Sequence, residues 1–143
     1  MSKRFVESLI EELDRGDRFG QWKAARDLGR LGDGAAVESL IRCLYRDDDT
    51  LRKIAATSLG NLGDPRATES LVRCLESEKD QPVRWEAAVS LGKLGNSMAI
   101  EPLLQALSDE DGELRRRAAS SLKQLKVGPA SLKLSIKNED ELV

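Results

Sequence analysis

From Val37 onward the apolar positions follow a helical rhythm. VESLIRCL (37–44) places Val37, Leu40, Ile41 and Leu44 on one face. The polar stretch RDDDT (46–50) interrupts it. A second stripe then runs through Leu51, Ala55, Leu59 and Leu62 to Gly63. The pattern predicts two short helices joined by an acidic turn, the second spanning about Thr50 to Leu62. The same pairing continues downstream. Ala67–Leu75 is predicted to open after Asp64 as a cap, with Pro65 at the first helical position. Glycines at 32, 63 and 95 follow the second stripes and should end those helices. Further acidic turns lie at EKDQP (78–82) and DEDG (109–112).

The chain repeats itself. LGRLGD begins at 28, LGNLGD at 59, LGKLGN at 91 and a weaker LKQL at 122. Upstream of these, VESLIEEL (6–13), VESLIRCL (37–44), TESLVRCL (68–75) and IEPLLQAL (100–107) align. Four units follow, near 2–32, 33–63, 64–95 and 96–126. One helix pair cannot bury its apolar stripe alone, but stacked pairs share a continuous core. The expected fold is all-α, an α-solenoid of four two-helix repeats. Residues 127–143 leave the pattern, and a capping helix, a short strand and a flexible tail remain open for them.

The motif D-x-x-[VL]-R-x-x-A-A-x-x-L stands at 48–59, 80–91 and 111–122, and L-G-x-L-G-[DN] follows it in the first two. It resembles HEAT repeats, in particular the short HEAT-like repeat named after the phycobilisome lyases. The resemblance covers residues 1 to about 126. It implies a right-handed superhelix whose second helices line the concave side. It also implies a ladder in which Arg52, Arg84 and Arg115 reach the Asp one turn before them or that of the next repeat. Gln21 replaces the Arg in the first unit, so the ladder is expected to start at the second.

Alignment of the copies separates structural columns from the rest. Ala24, Ala55, Ala87 and Ala118, with the adjacent Ala25, Ala56, Ala88 and Ala119, should let helices pack closely. Glu7, Glu38, Glu69 and Glu101 form a column that reads as a solvated or salt-bridged row, because stacked helices stand ~8–10 Å apart, too far to share one cation. Cys43 and Cys74 share a column with Ala106 and read as small buried residues rather than a disulfide.

Opposite the buried stripe lie three other columns. They hold Trp22, Lys53, Trp85 and Arg116; Arg26, Thr57, Val89 and Ser120; and Arg30, Asn61, Lys93 and Gln124. Five of these twelve are basic and none is acidic, in a chain of net charge −2. Charge is therefore segregated onto one face. Both tryptophans fall in one column. Each ring either folds over a neighbouring helix or stands exposed among the arginines, where it would be interface hot-spot chemistry.

Composition narrows the function. The 143 residues are 34% charged and only 3% aromatic, with no apolar run of membrane-spanning length and no secretory leader pattern. A cytoplasmic protein is expected, without membrane contact. There is no histidine, which argues against imidazole metal sites and Ser/Cys–His catalysis. VRWEAA (83–88) is similar to the VRHEAA context of the HEAT-like iron enzyme deoxyhypusine hydroxylase. Here Trp85 stands where that enzyme keeps a histidine ligand, and Lys23, Ile54 and Arg117 occupy the neighbouring Glu86 column. The reading is a non-catalytic scaffold or adaptor without metal or cofactor, engaging a protein or acidic peptide through the concave face. Its candidate contacts are Trp22, Arg26, Arg30, Lys53, Asn61, Trp85, Val89, Lys93 and Arg116. The alternatives are nucleic-acid binding by the same basic face, as in HEAT-repeat DNA glycosylases, and an accessory subunit of a tetrapyrrole (bilin) lyase.

Overall fold

An aspartate precedes every second helix, and each does the same work. Asp17, Asp48, Asp80 and Asp111 are extended at the backbone and accept the first free amide protons of the helix. In the computed structural model, which describes residues 3–128, these helices are α2 (Arg18–Leu31), α4 (Asp49–Leu62), α6 (Gln81–Leu94) and α8 (Gly112–Gln124). Their partners are α1 (Lys3–Arg15), α3 (Val37–Cys43), α5 (Thr68–Ser77) and α7 (Ile100–Ala106). The described residues thus form four helix pairs, an all-α solenoid. Expectations for residues 129–143 lie outside the described residues.

The first helices begin differently from the sequence expectation. Asp64 and Pro65 open a 3₁₀ turn, Pro65–Ala67, and α5 starts only at Thr68. Gly34–Ala36 and Ser97–Ala99 repeat this turn. Asp33, Asp64 and Asn96 accept from the amide two residues on, at 2.9 Å each. That short reach favours a tighter turn than an α-helix start. The turn's last residue, Ala36, Ala67 or Ala99, is fully buried.

The two glycines of L-G-x-L-G also differ. Gly32, Gly63 and Gly95 adopt φ of 72°, 66° and 70° and end their helices as expected. Gly29, Gly60 and Gly92 do not end anything. They sit inside the helices, where a Cβ would lie within 2.6–2.8 Å of the Cβ of Ser58, Ser90 or Ser121 in the next repeat. Those serines donate to Ala25, Ala56 and Ala88 carbonyls at 2.8, 2.6 and 2.6 Å. Each interface is thus one glycine, one serine and one alanine carbonyl, in the dry interior. Asp27 replaces the serine in the first repeat and Lys123 the glycine in the fourth, where no partner of this kind faces them. The paired alanines fill the same interior and are buried, apart from half-buried Ala119.

Through these contacts the second helices pack in direct succession, while the first helices meet one another far less. A stack tight on one side and open on the other must curve, with α2, α4, α6 and α8 on its inner side.

The arginine ladder exists but uses other acids than the capping aspartates. Arg52 donates to Glu78 at 3.0 Å and to the Arg46 carbonyl at 2.7 Å. Arg84 bonds Asp109 at 2.6 Å and the Leu75 carbonyl at 3.2 Å. Glu78 and Asp109 precede the next capping aspartate by two residues and also accept its amide proton. The capping carboxylates themselves are occupied by helix amides. Arg115 turns back to the carbonyls of Asp109 and Glu110. The first unit has no rung, as Gln21 implies. Arg46 stands where the later repeats place Glu78 and Asp109, so both halves of that rung are missing together.

Cys43 and Cys74 are buried and unpaired, and burial pushes both thiols up to about 11. The Glu7, Glu38, Glu69 and Glu101 row is exposed. Glu69 pairs with Arg73 at 2.7 Å, and Glu38 lies 3.8 Å from Arg66.

Candidate functional site

Each second helix buries one stripe and turns the opposite one inward to the concave side. Between α2 and α4 this produces a groove of about 270 Å³, lined by Arg26, Arg30, Lys53, Ile54, Thr57, Ser58 and Asn61. Arg26, Arg30, Lys53 and Asn61 are exposed. None of the three cations has an ion-pair or hydrogen-bond partner among the described residues. Ile54 gives the groove an apolar floor, and Thr57 and Asn61 give it polar edges.

The second half of the face is different, because acids stand beside the columns read from the sequence. Glu113 holds Arg116 at 3.2 Å and Arg117 at 2.7 Å. Those two guanidiniums, Arg116 first, hold its carboxyl down at about 2. Glu86 bonds Arg117 at 3.3 Å and accepts from Thr57 at 2.9 Å. Arg117 also lies over the Trp85 ring, 5.5 Å from its centroid. Val89 is half-buried beside this network, and Lys93 is tied to Asn61 at 3.1 Å. The basic residues read from these columns therefore differ in their surroundings. Arg116 is neutralised and Lys93 is hydrogen-bonded, while the open positive charge is concentrated on the first two repeats.

Of the two readings open for the tryptophans, the structure shows the folded one. Both are half-buried and packed on the core. Trp22 donates its indole N–H to Asp48 at 2.9 Å, and Trp85 donates to Asp111 at 2.6 Å. Each ring therefore crosses to the next repeat and fastens onto the carboxylate that caps the next second helix. Their shared column follows from this bond. A half-buried indole needs a partner for its N–H, and the capping aspartate 26 residues on is within reach.

One exposed aromatic escaped the columns. Phe19 is 72% exposed, and its ring meets Trp22 edge-on, with centroids 5.3 Å apart and planes at 81°. Its spacing of three residues before Trp22 places both on one helix face, and that was the available signal.

No described group of three or more Cys, Asp or Glu residues is arranged to hold a metal ion. No described helix is long and apolar enough to cross a membrane.

Four stacked helix pairs with caps, glycines and serines in register define a repeat solenoid. A family model for HEAT repeats matches residues 6–91 and 75–134, and the chain belongs to the HEAT-repeat family. Among solved structures it is similar to the complex of CpcE and CpcF of phycocyanin lyase from Nostoc sp. PCC7120. That match is 30% identical with a TM-score of 0.77, over 90% of this chain and 55% of the other. Human deoxyhypusine hydroxylase in complex with glycerol matches at 23% identity and a TM-score of 0.76, over 88% and 45% of the two chains. An engineered protein matches at 26% and 0.70, over 96% and 68%. The chain thus spans about half the length of the two natural proteins. No curated protein matches the sequence.

Proposed function

We propose that the chain is a non-catalytic scaffold that binds an acidic segment of a protein partner in the groove between α2 and α4. One observation carries this reading: Arg26, Arg30 and Lys53 converge on a groove with an apolar floor, and no described acid lines the groove or forms an ion pair with them. Unpaired surface cations attract carboxylates, and the attraction weakens with salt. Catalysis has little to work with. The chain has no histidine, and its two thiols stay protonated at neutral pH.

The test is fluorescence anisotropy with a labelled glutamate-rich peptide. Wild type should bind at low salt, and a variant carrying Arg26→Glu, Arg30→Glu and Lys53→Glu should not. Undiminished binding by that variant sinks the reading. A labelled DNA or RNA strand in the same assay serves as the rival ligand. Preference for it over the peptide, lost in the same variant, would replace an acidic protein with nucleic acid as partner.

A second reading has an observation of its own, the 30% likeness to the CpcE and CpcF complex. On it, the chain serves as an accessory subunit of a tetrapyrrole lyase. Mixing with a free bilin should then shift the pigment's absorption spectrum, and an unchanged spectrum removes this alternative.

A further inference from the structure

On α2 the inward stripe continues beyond the groove. Phe19, Trp22, Arg26 and Arg30 follow one another at spacings of three, four and four residues, on a single helix face. The stripe is aromatic at its start and cationic at its end. At ~1.5 Å per residue, Arg26 lies about 10 Å and Arg30 about 16 Å along the helix from Phe19.

Packing does not account for Phe19. The ring is largely in water, in a chain with only two phenylalanines. Its ring meets the edge of Trp22, and Trp22 is itself fixed by the bond to Asp48. The result is a two-ring platform in which one ring, Trp22, is already held in place, which lowers the ordering cost of binding. Asp47, Asp48 and Asp49 border Trp22 at the start of α4. Arg18 and Arg52 line the same place and offset much of that charge, so the aromatic end offers no net attraction to carboxylates, while the unpaired Arg26, Arg30 and Lys53 attract them to the other end. A ligand on this surface therefore has a defined layout.

Resting on the groove reading above, we propose that the surface takes a bipartite protein segment. One large apolar side chain sits on Phe19 and Trp22, and carboxylates about 10–16 Å further on meet Arg26, Arg30 and Lys53. In an extended segment, at ~3.3 Å per residue, that separation is three to five residues.

Three fluorescein-labelled peptides in a Gly/Ser background test this. One carries a Phe about four residues from a Glu pair. In the second, Ser replaces that Phe. In the third, the Phe is moved next to the Glu pair. The first should bind about tenfold more tightly than the others, as expected for one aromatic anchor. Phe19→Ala should erase that advantage and leave the Ser peptide's affinity unchanged, while Phe19→Leu keeps most of it. Circular dichroism melting checks that both variants fold. Equal affinity for all three peptides, or an equal loss for all in Phe19→Ala, overturns the bipartite layout. If binding then still vanishes on charge reversal of Arg26, Arg30 and Lys53, the acidic-groove reading survives alone. If no peptide binds, or the charge-reversed variant binds as well as wild type, both fall.

Discussion

Replacing a mid-helix glycine by alanine ordinarily stabilises a helix by ~1 kcal/mol. At Gly60 the opposite is expected. A Cβ there would stand 2.7 Å from the Cβ of Ser90 and 2.9 Å from its backbone Cα. The Cα belongs to the main chain of α6 and cannot rotate away, so α4 and α6 must separate. Overpacking of this kind costs ~1–3 kcal/mol. Separation also stretches the buried 2.6 Å bond from Ser90 to the Ala56 carbonyl, adding ~1–3 kcal/mol. After subtracting the propensity gain, Gly60→Ala should cost about 1–5 kcal/mol and lower Tm by about 3–20 °C. Urea and thermal unfolding followed by circular dichroism read this directly. Gly63→Ala is the control: its φ is 66°, but nothing lies within 4 Å, so its cost is backbone strain alone, ~1–2 kcal/mol. Ser90→Gly separates the two mechanisms. Combined with Gly60→Ala it removes much of the clash, and the two costs should fall short of additive by about 1 kcal/mol or more. Combined with Gly63→Ala they should add. A Tm that rises in Gly60→Ala, or plain additivity in that pair, would refute the account of the interface.

Four other outcomes follow from the geometry. Arg52→Ala strands Glu78, whose side chain is only 11% exposed, and should cost ~1–3 kcal/mol in urea unfolding; Arg73→Ala, at an exposed pair, should cost under ~0.5 kcal/mol. Trp85→Ala should destabilise by about 2–3 kcal/mol, because the ring is half core and half clasp on Asp111, whereas a freely exposed ring would melt unchanged. The Arg84 guanidinium holds the Asp109 carboxyl below the usual range, so its contribution is full above the unfolded value of ~3.9 and fades as pH falls through the lower folded value. Urea midpoints of wild type and Asp109→Asn should therefore differ at pH 7 and converge in strong acid. Cys43 and Cys74, buried and lifted to about 11, should react with a thiol reagent only as the chain unfolds, and rapid labelling of the native protein contradicts their placement.

What the sequence makes legible here, and what it hides, divides along one physical line. A repeat reports any demand that recurs at every interface. The buried stripes, the capping aspartates and the αL glycines do recur, and each is visible as a column. Partner choice within a column is not visible, because it depends on which atoms are already used. Asp48 and Asp111 were candidates for the arginine ladder, yet helix amides and indole N–H groups occupy their oxygens, and the arginines take Glu78 and Asp109 instead. The same limit governs the binding face. Counting the columns opposite the buried stripe finds five cations and no acid, but a helix face is wider than three columns. Glu113 reaches across from an adjoining one and silences Arg116, while Glu86 pairs with Arg117. In the first two repeats those positions are Lys23 and Ile54, and Phe19 and Thr50, none of them acidic. Of the cations in these columns, those without a partner therefore lie between α2 and α4. Repetition built the scaffold, and the departures from repetition, read residue by residue, locate the open groove on it.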